Sequence, residues 1–178
     1  MSLGLQAALY SARGTGVEPL LSRLDQEMRA TTDDLRRLTA SIPPTDLDVY
    51  GLGEAVRRRA RSLSRGRLRI DTHVCAELPR LRPEVELAAF RIITEALTNT
   101  ARHADANHCS VTLAPTDQTL EITVADDGKG IPTTPSLGLG IRSMQERATE
   151  LGGTFHLRAP PTNSGTLIHA TLPLQPDP

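Results

Sequence analysis

Three polar side chains recur at intervals of four in a segment that is otherwise apolar. Glu95, Asn99 and His103 would share one face of the helix predicted to begin at Pro83. A polar stripe on an apolar helix costs desolvation free energy unless it faces a ligand or a water-filled cleft. A carboxylate, an amide oxygen and an imidazole suit a site for a Mg²⁺-bound nucleotide, and an exposed helix edge is the alternative explanation.

A second segment whose residues could bind a ligand follows a predicted strand. Asp126 ends that strand, and Gly128 and Gly130 flank Lys129, the only lysine in the sequence. Glycine lets the backbone approach a flat or anionic ligand closely, and the strand-end carboxylate could accept a hydrogen bond from an amino group. A tight turn built on Asp-Gly is the alternative explanation.

A third segment, residues 138–141, reads Gly-Leu-Gly-Ile and leads into a predicted helix. Backbone amides at a helix N-terminus attract anions, so this segment could contact phosphates. A proline-containing loop precedes it, whereas a dinucleotide-binding fingerprint follows a strand. The segment therefore does not indicate a dinucleotide fold.

Together and in this order, the three segments resemble the ATP-binding domain shared by sensor histidine kinases, gyrase-type topoisomerases and heat-shock chaperones (the GHKL superfamily). Within about residues 52–174, positions 95–99 resemble its N box, 126–130 its G1 box and 138–141 its G2 box. Histidine kinases of the nitrate-sensor and desaturase-regulator type are especially similar. The segments that carry this similarity are Glu95–Asn99, Arg102–Ala104, Gly140–Arg147 and Leu151–Gly153.

The resemblance implies a role for each motif residue. Glu95 would be the catalytic residue, as general base or as organiser of the metal's waters, and Asn99 would hold Mg²⁺. Asp126 would bind the adenine amino group with support from Thr166, and the two basic residues after the N box would face the phosphates. The implied ATP-contacting residues are Asn99, Arg102, His103, Asp126, Gly128, Lys129, Gly130, Ile131, Gly138, Leu139, Gly140, Ile141 and Thr166.

The elements that position these residues are predicted in the order helix, strand, helix, β-hairpin, helix, β-hairpin. Their predicted bounds are helix 52–64, strand 67–75, a helix from Pro83 to about residue 101, strands 108–114 and 119–125, helix 140–151, and strands 154–159 and 166–173. This order predicts an α+β fold, a two-layer sandwich with a mixed sheet and helices on one face. The resemblance identifies it with the Bergerat-type ATP-binding fold.

The N-terminal part predicts a separate helical piece. Residues 17–42 carry apolar side chains at spacings of three and four, and the helix ends before Pro43-Pro44. This stripe must meet another helix, either from residues 3–12 or from a second chain, so packing within the chain and a homodimer both remain open. The resemblance implies partial dimerisation and phosphoacceptor helices over 1–44, a linker over 45–51 and the catalytic domain over 52–178.

The chain lacks a recognisable phosphoacceptor. None of its five histidines is followed by an acidic residue, and none lies in the N-terminal helices. We therefore expect a fragment that begins just downstream of the phosphoacceptor and binds ATP without phosphorylating itself. The expected reaction is transfer of the γ-phosphoryl of ATP to a histidine outside this chain, followed by relay to a response regulator. The alternatives are an anti-sigma-type serine kinase and a nucleotide-gated interaction module.

The composition of the chain disfavours several classes of partner and location. The net charge of −1 gives no reason to expect nucleic acid or an anionic membrane, and 2% aromatic residues disfavour stacking on single-stranded bases. No stretch approaches the roughly 20 apolar residues of a membrane span. We expect a cytoplasmic module, which leaves open a membrane-anchored full-length protein. Cys75 and Cys109 have no metal-ligand spacing and are expected to be reduced and buried.

The basic residues are unevenly distributed. Seven arginines and no acidic residue lie between Arg57 and Arg69. A solvated helix face running into a loop explains such a run, and a phosphate-rich partner is the alternative.

Overall fold

The computed structural model describes residues 45–130, 138–160 and 164–174. The predicted N-terminal helices, over 3–12 and 17–42, and the candidate residue Ile131 lie outside the described residues. The described elements are α1 (Thr45–Leu63), β1 (Arg69–Val74), α2 (Pro83–Asn99), a π-helical turn (Thr100–Ala104), β2 (His108–Pro115), β3 (Thr119–Asp126), α3 (Leu139–Glu150), β4 (Thr154–Arg158) and β5 (Thr166–Pro173).

The strands form one mixed sheet in the order β1-β2-β3-β5-β4. β1 runs parallel to β2, and the other neighbours are antiparallel. The β2–β3 hairpin and the β4–β5 hairpin are therefore adjacent in space through β3 and β5. The prediction of an α+β fold with a mixed sheet is confirmed.

The core lies between the sheet and the helices. Alternate residues of β3 are buried, namely Leu120, Ile122 and Val124, because side chains of a strand point to opposite faces in turn. α2 contributes eight buried residues, which confirms its central position. It begins with Pro83 as its first helical residue, and Glu84 and Glu86 lie in its first turn, where negative charge favours the helix dipole.

The first helix begins earlier than predicted. The predicted linker over 45–51 is helical from Thr45, and the helix is interrupted at Gly51, whose φ of 70° is left-handed. The helix resumes at Leu52, whose backbone N–H donates to Oε1 of Glu86 at 3.0 Å. Leu47 is 5% exposed, so the first segment also contributes to the core. Sequence periodicity missed this segment because only one of its apolar side chains is buried.

Acidic residues, most of them on the same helix, pair with much of the arginine run. Four of its seven members lie within ion-pair distance of an acidic residue. These pairs are Arg57–Glu54, Arg58–Asp46, Arg61–Glu54 and Arg67–Asp105. In a fifth interaction, Nη2 of Arg59 donates to Oγ1 of Thr98 at 3.2 Å. These contacts favour the solvated-face interpretation over a phosphate-rich partner.

The two cysteines are both free, but they differ in burial. Cys109 is buried, as expected, whereas Cys75 is exposed, so the prediction of two buried thiols is wrong for Cys75. Cys75 follows the edge strand β1 directly and lies beyond the last residue that is paired in the strand ladder. No helix in the described part of the chain is both long and apolar enough to cross a bilayer.

Candidate functional site

Asp126 is the buried acidic residue at the end of β3. It continues the inward alternation of the strand, so its carboxylate points toward the helical layer, and the residue is 9% exposed. Its Oδ1 accepts hydrogen bonds from the backbone N–H groups of Gly128 at 2.9 Å and Thr166 at 3.2 Å. The hydroxyl of Thr100 lies 3.2 Å from Oδ2. The strand end, the glycine turn and the start of β5 therefore meet at one carboxylate.

These bonds leave the carboxylate of Asp126 able to accept another donor. An ionised carboxylate has about four lone-pair sites, and the described bonds use two on Oδ1 and one on Oδ2. Desolvation of a buried charge is costly, so a donor at the remaining site would be stabilising. An amino group of a ligand is such a donor.

The turn after Asp126 packs directly against the end of the α2 segment. A Cβ on Gly128 would lie 2.7 Å from Cβ of Ala104, which is too close for any side chain, and Lys129 N donates to the carbonyl of Ala104 at 2.8 Å. Glycine is therefore required at 128 for steric reasons. This contact joins the second sequence motif to the residues that follow the first.

A second glycine that sequence reasoning did not select closes the same turn. Gly165 has a φ of 101°, and a Cβ there would lie 2.7 Å from the carbonyl carbon of Asp126. Gly130, with a φ of 76°, lies against the carbonyl of Gly165. The signal in the sequence is the Gly165-Thr166 pair at the start of β5, which shows a turn but not what the turn contacts.

Glu95 and Gly140 connect the first motif to the third. A Cβ on Gly140 would overlap Oε1 of Glu95 and lie 2.9 Å from its Cδ. The carboxylate thus lies against the first turn of α3, where backbone N–H groups and the helix dipole favour negative charge. Gly138 is the N-cap of α3 and is exposed.

A π-helical turn separates α2 from β2. It spans Thr100–Ala104 and ends at Asp105, the only described non-glycine residue with a positive φ (53°). π turns within α-helices occur frequently at functional sites. Arg102 and His103 lie on this turn and are exposed, so the helix predicted to continue to about residue 101 becomes wider from Thr100 onward.

The structure brings together some candidates more tightly than others. Direct contacts join Asp126, Gly128 and Thr166, and a separate contact joins Glu95 and Gly140. The side chains of the remaining described candidates make no hydrogen bond or ion pair with these groups. They are Asn99, Gly130, Leu139 and Ile141, which are half-buried, and Arg102, His103, Lys129 and Gly138, which are exposed.

Cys109 and Thr100 are buried beside Asp126, a contact that the sequence does not predict. Cys109 pairs with Asp126 across β2 and β3. Burial raises the pKa of the Cys109 thiol to about 12, a hydrogen bond with Thr100 works in the opposite direction, and the negative charges of Asp126 and Asp127 raise it further. The thiol is therefore a neutral, inert packing group.

Asp127 differs from its neighbour in both exposure and role. Its Oδ1 accepts hydrogen bonds from the backbone N–H groups of Asn107 at 2.8 Å and His108 at 2.9 Å. These bonds, chiefly that from His108, hold the pKa of the exposed Asp127 carboxyl below its ordinary value. Asp127 thereby fixes the chain between the π turn and β2. From the sequence, Asp127 is predicted only as part of an Asp-Gly turn.

The fold and these contacts define a protein class. Residues 84–176 match the family described as "Histidine kinase-, DNA gyrase B-, and HSP90-like ATPase", and the chain belongs to this family. Membership implies that the domain binds ATP.

Within the described residues no group of three or more His, Cys, Asp or Glu side chains could hold a metal ion by itself.

The similar proteins include sensor kinases. The chain is 30% identical over 174 residues to the sensor protein VraS of Staphylococcus aureus. The matched stretch covers 93% of this chain and 49% of VraS. It is 30% identical over 172 residues to the signal transduction histidine-protein kinase/phosphatase UhpB of Salmonella typhimurium, covering 92% of this chain and 33% of UhpB. The chain thus spans half or less of the length of these relatives.

Solved structures agree on the fold. The histidine kinase domain of the Erythrobacter litoralis EL346 blue-light activated histidine kinase superposes with a TM-score of 0.64 at 20% identity, covering 96% of this chain and 93% of that one. The Acinetobacter baumannii histidine kinase AdeS gives a TM-score of 0.61 at 16% identity with the same two coverages. The fold is that of histidine kinase catalytic domains, and the chain contains a histidine kinase-type ATPase domain.

Proposed function

We propose that this chain is the catalytic and ATP-binding module of a two-component sensor histidine kinase. It would promote transfer of the γ-phosphoryl of ATP to Nε2 of a histidine that this chain does not supply. The observation that carries the proposal is the buried Asp126 carboxylate, which is held by Gly128 and Thr166 and retains capacity for one more donor. That arrangement suits the amino group of an adenine ring.

The nucleotide would lie between the G1 turn and the start of α3. Gly128 has no room for a side chain, and the two positive-φ glycines, Gly130 and Gly165, keep the turn compact. The remaining G1 and G2 positions, namely Lys129, Ile131, Gly138, Leu139, Gly140 and Ile141, would line the nucleotide. Arg102 and His103 project from the π turn and would neutralise phosphate charge.

Mg²⁺ fits the chemistry of this site when it arrives with the nucleotide. Mg²⁺ is usually bound in nucleotide sites by one or two protein oxygens plus phosphates and waters. The amide oxygen of Asn99, at the end of α2, would be the protein ligand.

Replacing Asn99 by Ala should weaken ATP binding about tenfold in magnesium buffer and much less in EDTA. Equal losses in the two buffers would contradict this role, and Asn107→Ala is the matched control at an exposed asparagine.

Glu95 would act at the reacting end of the site, as general base or as organiser of water. Its contact with Gly140 fixes the carboxylate at the α3 N-terminus, where α2 and α3 meet. A positioned carboxylate contributes roughly 10²- to 10⁴-fold to proton-transfer steps. Glu95→Gln should therefore lower phosphoryl transfer strongly while leaving ATP affinity within about threefold.

The decisive experiment supplies the missing substrate. The chain is mixed with a separate helical hairpin that carries a histidine followed by an acidic residue, and acid-labile phosphate on the hairpin is measured with radiolabelled ATP. Transfer that requires Glu95 would support the kinase assignment. Transfer to serine would favour the anti-sigma-type kinase, and ATP binding without transfer would favour a nucleotide-gated interaction module.

The wider organisation is proposed from the relatives. Residues 1–44 would be partial dimerisation helices, residues 45–51 a connecting segment and residues 52–178 the catalytic domain. A homodimer through the N-terminal helices predicts self-association in sedimentation that disappears when residues 1–42 are removed. A monomer in both cases would contradict this prediction.

The phosphoryl group would pass onward to an aspartate of a response regulator, and the module would act in the cytoplasm, with no nucleic-acid partner. The full-length protein could be anchored in the plasma membrane. Transfer from the phosphorylated hairpin to purified response regulators would identify the cognate regulator, and an absence of transfer to any of them would contradict the relay.

A further inference from the structure

A cavity of about 460 Å³ lies on the face of the sheet opposite the helices. It is lined by Thr123, His156, Arg158, Leu167 and His169, from β3, β4 and β5. The neighbouring residues Val124, Leu157 and Ile168 pack into the core on the other face. The cavity is therefore separated by the thickness of the sheet from the carboxylate of Asp126.

The strand register gathers the polar lining groups of this cavity. His169 on β5 is paired with Thr123 on one side and with His156 on the other. The two imidazole rings are stacked, with centroids 6.4 Å apart and an interplanar angle of 16°. Arg158 follows His156 by two residues and therefore projects from the same face of β4.

The described lining residues supply hydrogen-bond donors and a positive charge, and none of them carries a carboxylate. A guanidinium, two imidazoles and a hydroxyl can all donate hydrogen bonds, and Leu167 supplies an apolar wall. The described acidic residues on this face lie outside the cavity. Glu121 precedes Thr123 by two residues on β3, and Asp71 is on the far strand β1, where its Oδ2 lies 2.9 Å from Nε2 of His108.

We propose that this cavity is a binding site for a small phosphate-type oxyanion, separate from the nucleotide site. The guanidinium of Arg158 would form a charge-assisted pair with the anion. The ring nitrogens of His156 and His169 and the hydroxyl of Thr123 would donate to its other oxygens. A doubly charged phosphate matches this set better than a singly charged carboxylate because the lining offers four donor groups, one of them a permanent cation.

A transition-metal ion is the competing ligand for a pair of imidazoles. Two observations disfavour it in this cavity. Among the described residues, no carboxylate or thiolate lines the cavity to complete a coordination shell, and the positive charge of Arg158 is on the same face as the two rings. Electrostatics thus favours an anion.

The test is a titration of the full chain with inorganic phosphate at neutral pH, followed by NMR of the histidine ring protons. ADP is added at saturation in a parallel series so that phosphate cannot report on the nucleotide site. Saturable shifts of the His156 and His169 rings in both series are expected. An acetate titration at matched ionic strength should give weaker binding.

Matched variants decide the assignment. Arg158→Gln removes the exposed guanidinium of β4 and should weaken phosphate binding roughly three- to tenfold. Arg142→Gln is the control, since Arg142 is an exposed arginine on α3 that pairs with Glu146. Equal affinities in the two variants, shifts that never saturate, or shifts abolished by ADP would overturn the proposal. Saturable Zn²⁺ binding at the two rings without a phosphate response would overturn it in favour of a metal site.

Discussion

The carboxylate of Glu95 occupies the space that a side chain at Gly140 would need. The two residues belong to different helices and different sequence motifs, and their contact is where the N-box helix meets the G2 segment. The absence of a Cβ at position 140 thus determines where the carboxylate of the proposed catalytic residue can lie. This relationship can be tested without altering Glu95 itself.

Gly140→Ala should displace Glu95 while leaving the fold intact. The atom that a new Cβ would overlap is the end of a flexible side chain, and Ala is favoured over Gly in a helix by roughly 1 kcal/mol. We expect an unchanged or slightly higher Tm and a transfer rate to a supplied histidine hairpin that falls at least about tenfold.

Gln145→Ala, at an exposed position of the same helix that has no role in the proposed site, is the control for this change. A double-mutant cycle sharpens the test. If Gly140→Ala acts through Glu95, adding it to the Glu95→Gln variant should cause little further loss. Additive losses would show that Gly140 acts independently.

Asp126 is predicted to be the strongest single determinant of nucleotide affinity. Asp126→Ala removes a buried acceptor, and loss of a charge-assisted hydrogen bond of about 1.5–3 kcal/mol corresponds to roughly 10- to 150-fold weaker binding in calorimetry. The same change also leaves the N–H groups of Gly128 and Thr166 without their acceptor, so Tm should fall as well. Asp117→Asn, in the exposed β2–β3 turn, should change neither quantity. Normal affinity in a folded Asp126→Ala protein would reject the adenine role.

The position of Asp126 could be predicted from its own strand. Leu120, Ile122 and Val124 alternate inward, and the next position in that series is Asp126, so the pattern places a carboxylate on the core side of the strand end. Sequence patterns located every described strand, the core face of α2 and the core face of α1 from Leu52 onward. Local patterns suffice where one face of an element is buried.

The contacts between motifs could not be predicted in this way. The overlap of Glu95 with Gly140, and of Gly165 with the backbone of Asp126, depends on how elements distant in sequence pack together. Periodicity specifies which side of an element is buried but not which residue lies opposite. The π turn could not be predicted either, since its sequence, Thr-Ala-Arg-His-Ala, continues the helical pattern of α2.

The two cysteines should differ sharply in reactivity. Cys75 is exposed, whereas burial, the largest cause, raises the pKa of Cys109 to about 12, so almost no thiolate is present there at neutral pH. Folded protein should react with one equivalent of iodoacetamide, and Cys109 should react at least about 100-fold more slowly. The Cys75→Ser variant should lose the fast reaction, and unfolding in denaturant should expose the second thiol. Rapid modification of Cys109 in folded protein would contradict its burial beside Asp126.

Asp127 should give the protein a pH-dependent stability in the acidic range. Because the His108 and Asn107 amides lower its folded-state pKa, the ionised carboxylate stabilises the fold above the ordinary aspartate pKa. That contribution is lost as pH falls through the folded-state pKa. Asp127→Asn keeps an acceptor but cannot ionise.

The free energy of unfolding of Asp127→Asn should therefore be lower than that of the wild type at neutral pH, by no more than about 1 kcal/mol because the group is exposed to solvent. The difference should shrink below about pH 4, where the wild-type carboxylate becomes protonated. Urea unfolding at a series of pH values measures it, with Asp117→Asn as the exposed control. A difference that stays constant across the acidic range would show that Asp127 contributes through hydrogen-bond geometry alone and not through its charge.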